Sequence, residues 1–233
     1  MMFQRHDLAY LSASGWQQVR EQPGSTGLDA VRQWQLADWP AIVRRNEQAA
    51  AGQVDAGLAA DGKISLGIAL PPRPDGSKQR LALNVATSHI ASMRKPLDLA
   101  GAISQAPLHW RQELGALDSA AKEIGISLQV FGSLAMQSLT GLPYLTPKSD
   151  IDILFRPDSS VQMQAGLALL SDFGRRLPLD GELVFPDAQA VAWKELAGYA
   201  TGGNMDAVRV LCKNRYSVSL QPVSSLLAAF DEA

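Results

Sequence analysis

Val130-Phe131-Gly132-Ser133, then sixteen residues, then Asp150-Ile151-Asp152-Ile153-Leu154: this stretch decides the fold. In an extended strand alternate side chains share a face, so Asp150 and Asp152 project to one side while Ile151 and Ile153 pack on the other. Residues 127–131 read as a short strand halted by Gly132-Ser133, and residues 134–140 as a helix of a turn or two closed by Gly141. Gly132-Ser133 therefore stands where a strand passes into a helix. There a glycine lets a phosphate approach the backbone, and the first-turn N–H groups bind it. Two carboxylates this close repel each other unless a cation lies between them. Hard oxygen ligands of this kind suit Mg²⁺, which takes one or two carboxylates plus substrate phosphates. The parts together describe phosphoryl transfer, in which catalysis is mostly positioning and charge neutralisation. Singly they say little, because most Asp-x-Asp pairs are solvated strand edges and most Gly-Ser pairs are turns. The order strand, Gly-Ser, helix, strand, acid pair carries the reading.

Outward from this segment the pattern is mixed. Trp110, Leu114, Leu117, Ala121 and Ile124 fall at steps of four, three, four and three, an amphipathic helix that Gly125 ends. Asp158 and Ser159 suit the N-cap of a helix carrying Met163, Leu167, Leu170 and Phe173. Residues 179–185 read as a third strand, and 208–212 with 216–220 as a hairpin. Asp180 and Glu182 share one parity on that third strand, so either is a candidate third acid. Gly181 between them admits close approach of a ligand or a neighbouring backbone.

The first part reads differently. Ile64, Leu66 and Ile68 alternate with polar or small residues, and Leu81, Leu83 and Val85 resume the alternation after Pro71-Pro72-Arg73-Pro74-Asp75-Gly76. Residues 63–86 are thus a hairpin with a long loop, and the Ala/Gly-biased residues 49–62 a loop or short helix. Arg94-Lys95-Pro96 interrupts the pattern, so the boundary falls near Pro96: a small, partly β module over residues 1–95 and an α+β domain with a mixed sheet over 96–233.

Composition narrows the classes. The 233 residues, 46% of them apolar and 19% charged, are ordinary for a globular chain, and 21 Lys plus Arg against 23 Asp plus Glu leave a net charge of −2. That excludes a general nucleic-acid binder. Cys212 is the only cysteine, so no internal disulfide or multi-cysteine zinc site forms, which fits a reducing compartment. Met-Met-Phe-Gln-Arg-His-Asp lacks a signal-peptide core, and no apolar run approaches the ~20 residues of a membrane span. A cytoplasmic protein is expected. Trp34, Trp39, Trp110 and Trp193 read as core or interface, Cys212 as a buried apolar group, and His6, His89 and His109 as structural or solvent-facing. A triphosphate also needs cations; Arg44 and Arg45, after an apolar run, and Lys213, closing another, are the candidates.

The strand, Gly-Ser, helix, acid-pair order resembles the nucleotidyltransferase superfamily of DNA polymerase β type, with a spacer lengthened by residues 142–148. In that superfamily the paired acids bind divalent metal and a third acid on a later strand assists. Further segments sharpen the resemblance: Arg5-His6-Asp7-Leu8-Ala9-Tyr10-Leu11, Pro40-Ala41-Ile42-Val43-Arg44-Arg45, Asp180-Gly181-Glu182-Leu183-Val184-Phe185-Pro186 and Ala190-Val191-Ala192-Trp193-Lys194-Glu195. Over nearly the whole chain the sequence is similar to malonate decarboxylase holo-acyl-carrier-protein synthase, also called phosphoribosyl-dephospho-CoA transferase. The resemblance implies a Mg²⁺ enzyme with metal at Asp150 and Asp152, phosphate binding at Gly132 and Ser133, and Asp180 or Glu182 as third acid. Its donor is 2′-(5-triphosphoribosyl)-3′-dephospho-CoA, its acceptor a serine of the malonate decarboxylase acyl-carrier subunit, and pyrophosphate is released. The N-terminal module then helps to bind the carrier or the dephospho-CoA arm. Two other readings remain at this stage: a nucleotidyltransferase acting on a small hydroxylated molecule or another protein, and a catalytically silent binding module. Intact Gly-Ser and both aspartates argue against silence, because an unused acid pair is electrostatically costly.

Overall fold

The computed structural model describes residues 3–22, 28–46, 62–199 and 208–231. Apart from Gly62, residues 49–62 lie outside them. The chain divides into two compact units, one holding Met1–Pro96 and the other most of the chain from Leu97 onward. Two short excursions, Leu139–Tyr144 and Arg215–Ser217, also belong to the first unit.

Among the described residues the first unit holds β1 (Leu8–Leu11), α1 (Ala13–Glu21), α2 (Leu28–Leu36), β2 (Ala41–Val43), β3 (Lys63–Ala69), β4 (Arg80–Ala86) and β5 (Ile90–Arg94). The strands form one antiparallel sheet in the order β4-β3-β2-β1-β5. The 63–86 hairpin pairs Ile64 with Val85 and Leu66 with Leu83, and all four are buried, so the alternation read in the sequence is the core-facing one. Its loop turns at Gly76, at φ +80°, where the Ser77 N–H donates to Asp75 Oδ1 at 2.8 Å.

β4 is an edge strand, and an edge left open invites pairing with other chains. Two glutamines of α1 and its C-terminal end cover it. The Ala86 N–H donates to Gln18 Oε1 at 3.1 Å and the Asn84 N–H to Gln22 Oε1 at 3.3 Å, while Gln22 Nε2 donates back to the Asn84 carbonyl. Trp34 is fully buried, gives its indole N–H to the Pro40 carbonyl at 3.2 Å, and meets the half-buried Trp39 edge-on at 5.0 Å. The Leu139–Tyr144 excursion uses residues that lengthen the spacer. Tyr144 is buried, its hydroxyl donates to the Ala69 carbonyl at 2.7 Å, and burial pushes its phenol well above the ordinary range, offset in part by a hydrogen bond with Thr140.

The second unit runs β6 (Leu97–Asp98), α3 (Leu99–Ala102), α4 (Leu108–Glu123), β7 (Leu128–Phe131), α5 (Gly132–Thr140), β8 (Ile151–Phe155), α6 (Ser160–Phe173), β9 (Leu179–Val184), β10 (Ala190–Ala192), α7 (Trp193–Tyr199), β11 (Arg209–Lys213), β12 (Val218–Pro222) and α8 (Val223–Ala228). Among the described residues its sheet is ordered β12-β11-β10-β9-β8-β7-β6, with β8 and β9 parallel and every other neighbouring pair antiparallel. The α+β class with a mixed sheet is therefore as expected. One face buries Ile151, Ile153, Phe155, Leu179, Leu183 and Val191 against Leu114, Leu117, Met163, Leu167 and Leu170 of α4 and α6. Gly125, at φ +70°, follows α4, and the Ser159 hydroxyl caps α6 by accepting from the Gln162 N–H.

Gly181 is required by this sheet rather than by a ligand. Its φ is +127°, and a Cβ there would lie 1.9 Å from the Ile153 carbonyl oxygen and 2.6 Å from its nitrogen, both backbone atoms of β8 that cannot give way. Gly181→Ala should lose about 3–5 kcal/mol of stability, the upper end for one substitution. Urea unfolding tests this; an unchanged midpoint would mean that β8 and β9 do not approach so closely.

Candidate active site

The other face of the second unit's sheet carries the acids. β7 and β8 pair so that Phe131 stands opposite Asp152, and α5 starts at the next residue, Gly132. Gly132 has φ +66°, and a Cβ built on it would lie 1.9 Å from Asp152 Oδ2 and 2.8 Å from its Cγ. The Asp152 carboxylate thus packs directly on the first residue of α5, the end of a helix that favours negative charge. Ser133, in the same turn, is buried. Asp150 is half-buried one residue before β8, two before Asp152, and so of the same strand parity.

Register settles what lies beside them. On the parallel neighbour β9, Asp180 stands opposite Asp152 and Glu182 opposite Leu154. Asp152 and Asp180 are therefore adjacent across two strands on one face, and Glu182 lies one row further along. The two β9 acids also differ in surroundings. The Asp180 side chain is 43% exposed and 3.8 Å from Lys194 Nζ; the Glu182 side chain is 9% exposed and 3.7 Å from Lys213 Nζ. Beside Glu182 this face is apolar, with Leu154, Val184 and Ala190 packed together and Phe131 against them. In the sequence Lys194 stands only within a family-like segment, with no role of its own; its pairing with Asp180 supplies one.

Among the described residues no three His, Cys, Asp or Glu side chains gather closely enough to enclose a metal ion by themselves. The donor chemistry nevertheless fits Mg²⁺. The set is carboxylate oxygen alone, and that ion normally keeps water and substrate phosphates beside one or two carboxylates. Arg44 and Arg45 belong to the first unit, directly after β2, and Arg44 donates its Nε–H to the Leu66 carbonyl at 3.1 Å. Cys212 is no nucleophile: it is buried in the core, and desolvation, with Asp187 and Glu195 adding to it, pushes its thiol up to about 11. His89 is tied to Gln18, and His109 lies on α4 beside Trp110.

Residues 4–96 match the phosphoribosyl-dephospho-CoA transferase MdcG N-terminal domain, and residues 98–224 match its C-terminal domain. The chain belongs to the phosphoribosyl-dephospho-CoA transferase family. Its relatives include a phosphoribosyl-dephospho-CoA transferase of Xanthomonas campestris pv. campestris, 37% identical over 226 residues and 95% of each chain. Another, of Xanthomonas axonopodis pv. citri, is 36% identical over 228 residues and 97% of each chain. That of Bradyrhizobium diazoefficiens is 36% identical over 201 residues, which is 84% of this chain and 83% of the relative. No solved structure matches the chain. The family matches meet where the first compact unit ends, so both of its domains are represented by structure as well as by sequence. No helix among the described residues is long and apolar enough to cross a membrane.

Proposed function

We propose that this chain transfers the phosphoribosyl-dephospho-CoA group from 2′-(5-triphosphoribosyl)-3′-dephospho-CoA to a serine of the malonate decarboxylase acyl-carrier subunit, in the cytoplasm. The bond formed joins the serine oxygen to the α-phosphorus of the donor, the bond broken links that phosphorus to the leaving group, and pyrophosphate departs. Family membership supports the substrate class. The observation that carries the chemistry is the juxtaposition of Gly132 at the start of α5, Asp152 on β8 and Asp180 on β9.

Each residue then has a physical role. Asp150 and Asp152 would hold Mg²⁺, which when bound neutralises charge on the triphosphate and the leaving pyrophosphate. Gly132 leaves the start of α5 open, so its backbone N–H groups and the Ser133 turn receive phosphate oxygens. Asp180, exposed and next to Asp152, accepts the proton of the incoming serine. Glu182 holds Lys213 at the side of the cleft, where its ammonium offsets triphosphate charge.

The β9 acids can be told apart. Asp180→Asn should lower turnover about 100-fold, the usual range for a general base, with little change in stability. Glu182→Gln should keep substantial activity and lose about 1–2 kcal/mol of stability, the weakened pair being partly open to solvent through Lys213. The reverse ranking of activities would assign the proton to Glu182.

The test of the reading is intact-mass spectrometry of apo-carrier incubated with enzyme, Mg²⁺ and donor. A mass gain of one phosphoribosyl-dephospho-CoA on a serine is expected. Transfer to a small hydroxylated molecule instead, or no pyrophosphate with any triphosphate, would replace it with one of the other readings.

A further inference from the structure

The face that carries Asp152 does not end at β9. Lys213 reaches Glu182, which puts the outward residues of β11 on the same side of the sheet as the acids. Val210 and Cys212, alternating with them, are buried in the core on the other side. β11 and β12 pair Arg209 with Pro222, Leu211 with Leu220 and Lys213 with Val218, so these six residues form a ladder on one face. Three of them are large apolar side chains left open: Leu211 is 40% exposed, Val218 41% and Leu220 57%. Leu211 and Leu220 face each other directly, so the exposure is one contiguous strip along the outer edge of the sheet, not scattered single residues.

Cations stand at both ends of the strip, while at its inner edge the Leu211 N–H donates to Glu195 Oε1 at 3.3 Å. Arg209 is exposed at one end of it, and Lys213, then Lys194 beside Asp180, lie between it and the acids. With strands about 4.8 Å apart, β11 is roughly 15 Å from β8 and β12 roughly 19 Å. A small protein that seats an apolar patch on Leu211, Val218 and Leu220 can therefore still present a serine to Asp152. A nucleotide arm would gain little from three aliphatic side chains at a sheet edge, whereas an apolar centre with a polar, charged rim is how a protein partner is held.

We propose that the Leu211–Val218–Leu220 strip, flanked by Arg209, is the docking surface for the acceptor protein, and that the partner presents a small apolar patch bordered by carboxylates. The inference rests on the carrier-transferase reading above and names the surface that reading leaves open. Arg209 acts as a rim charge, steering association, while the leucines supply the buried centre.

The test uses full-length Leu220→Asp and Arg209→Glu proteins, with carrier modification followed at varied carrier concentration. Leu220→Asp should raise the carrier KM at least about tenfold, the loss of one well-buried anchor. kcat at saturating carrier and the donor KM should stay within about twofold, as binding that is equal in ground and transition states requires. Arg209→Glu should raise the carrier KM at low salt, with the effect fading as salt screens it. Both substitutions are on exposed side chains, and matching melting curves exclude misfolding. Unchanged carrier KM in both variants, with wild-type enzyme modifying the carrier normally, overturns the docking surface alone; absence of modification by wild-type enzyme overturns the function as well. Sedimentation separates the remaining occupant: a wild-type dimer that Leu220→Asp converts to monomer would assign the strip to a second copy of this chain and overturn the proposal.

Discussion

Asp150→Asn and Asp152→Asn proteins should each melt within a degree or two of the parent and modify the carrier on the order of 10³-fold more slowly. The amide keeps the volume and hydrogen-bonding shape of the carboxylate and removes the charge. If that charge holds a divalent cation against a triphosphate, several kcal/mol of transition-state stabilisation go with it, and each 1.4 kcal/mol is about a factor of ten. Stability should not fall, because neither carboxylate is a core group: Asp150 precedes β8 and Asp152 faces the open start of α5. Relief of repulsion between the two acids and loss of the favourable charge at the start of α5 oppose each other for Asp152, so the melting temperature should hardly move. Near-parental turnover in both variants would remove the metal site from this face.

Gly132→Ala is the second large effect, and the structure changes its explanation. The sequence suggests that a side chain at this position would block an approaching phosphate. Geometry adds a nearer obstacle. At φ +66° an alanine is strained by roughly 1 kcal/mol, and its Cβ would occupy the place of the Asp152 carboxylate. Aspartate is short, so its oxygen moves aside only if the whole carboxylate rotates away from the start of α5. Turnover should fall about 100-fold or more while stability falls by only about 1–2 kcal/mol. Gly132→Val should be worse on both counts. Calorimetry with Mg²⁺ and triphosphate separates the two obstacles, since a displaced Asp152 weakens metal and nucleotide together. Equal metal-dependent affinity in parent and Gly132→Ala would mean that the glycine is an ordinary turn.

The acid pair, the strand that holds it and the helices around it are legible in the sequence because their signals are local. Ile151, Ile153 and Phe155 alternate within five residues, and Gly125, Gly132 and Gly141 sit at element ends with positive φ. α6 is legible for the same reason, with a serine cap and a stripe of apolar residues along one side. Other elements hold too few residues for a period to declare itself. β2 and β10 are three residues each and β6 two, and α1 shows a core face only through Gly15, Trp16 and Val19 amid polar neighbours. Register is illegible for a different reason. That Asp180 and not Glu182 stands opposite Asp152 depends on how α6 returns the chain to the sheet, a choice made by packing between residues far apart in sequence. The same holds for the lysine partners of Asp180 and Glu182. Gly181 can be recognised as a point of close approach, but only the paired strands show that the neighbour is Ile153 backbone.

If a metal-bound triphosphate is consumed on the Asp150–Asp152 face, ion and phosphates must be found there together. The most direct test is anomalous scattering from crystals grown with Mn²⁺ in place of Mg²⁺ and with the triphosphoribosyl donor. The expected result is a manganese peak within about 2.0–2.4 Å of carboxylate oxygens of both Asp150 and Asp152, with triphosphate density running from that ion to the start of α5. Manganese and triphosphate bound together on another surface, with both aspartates unliganded, would contradict it.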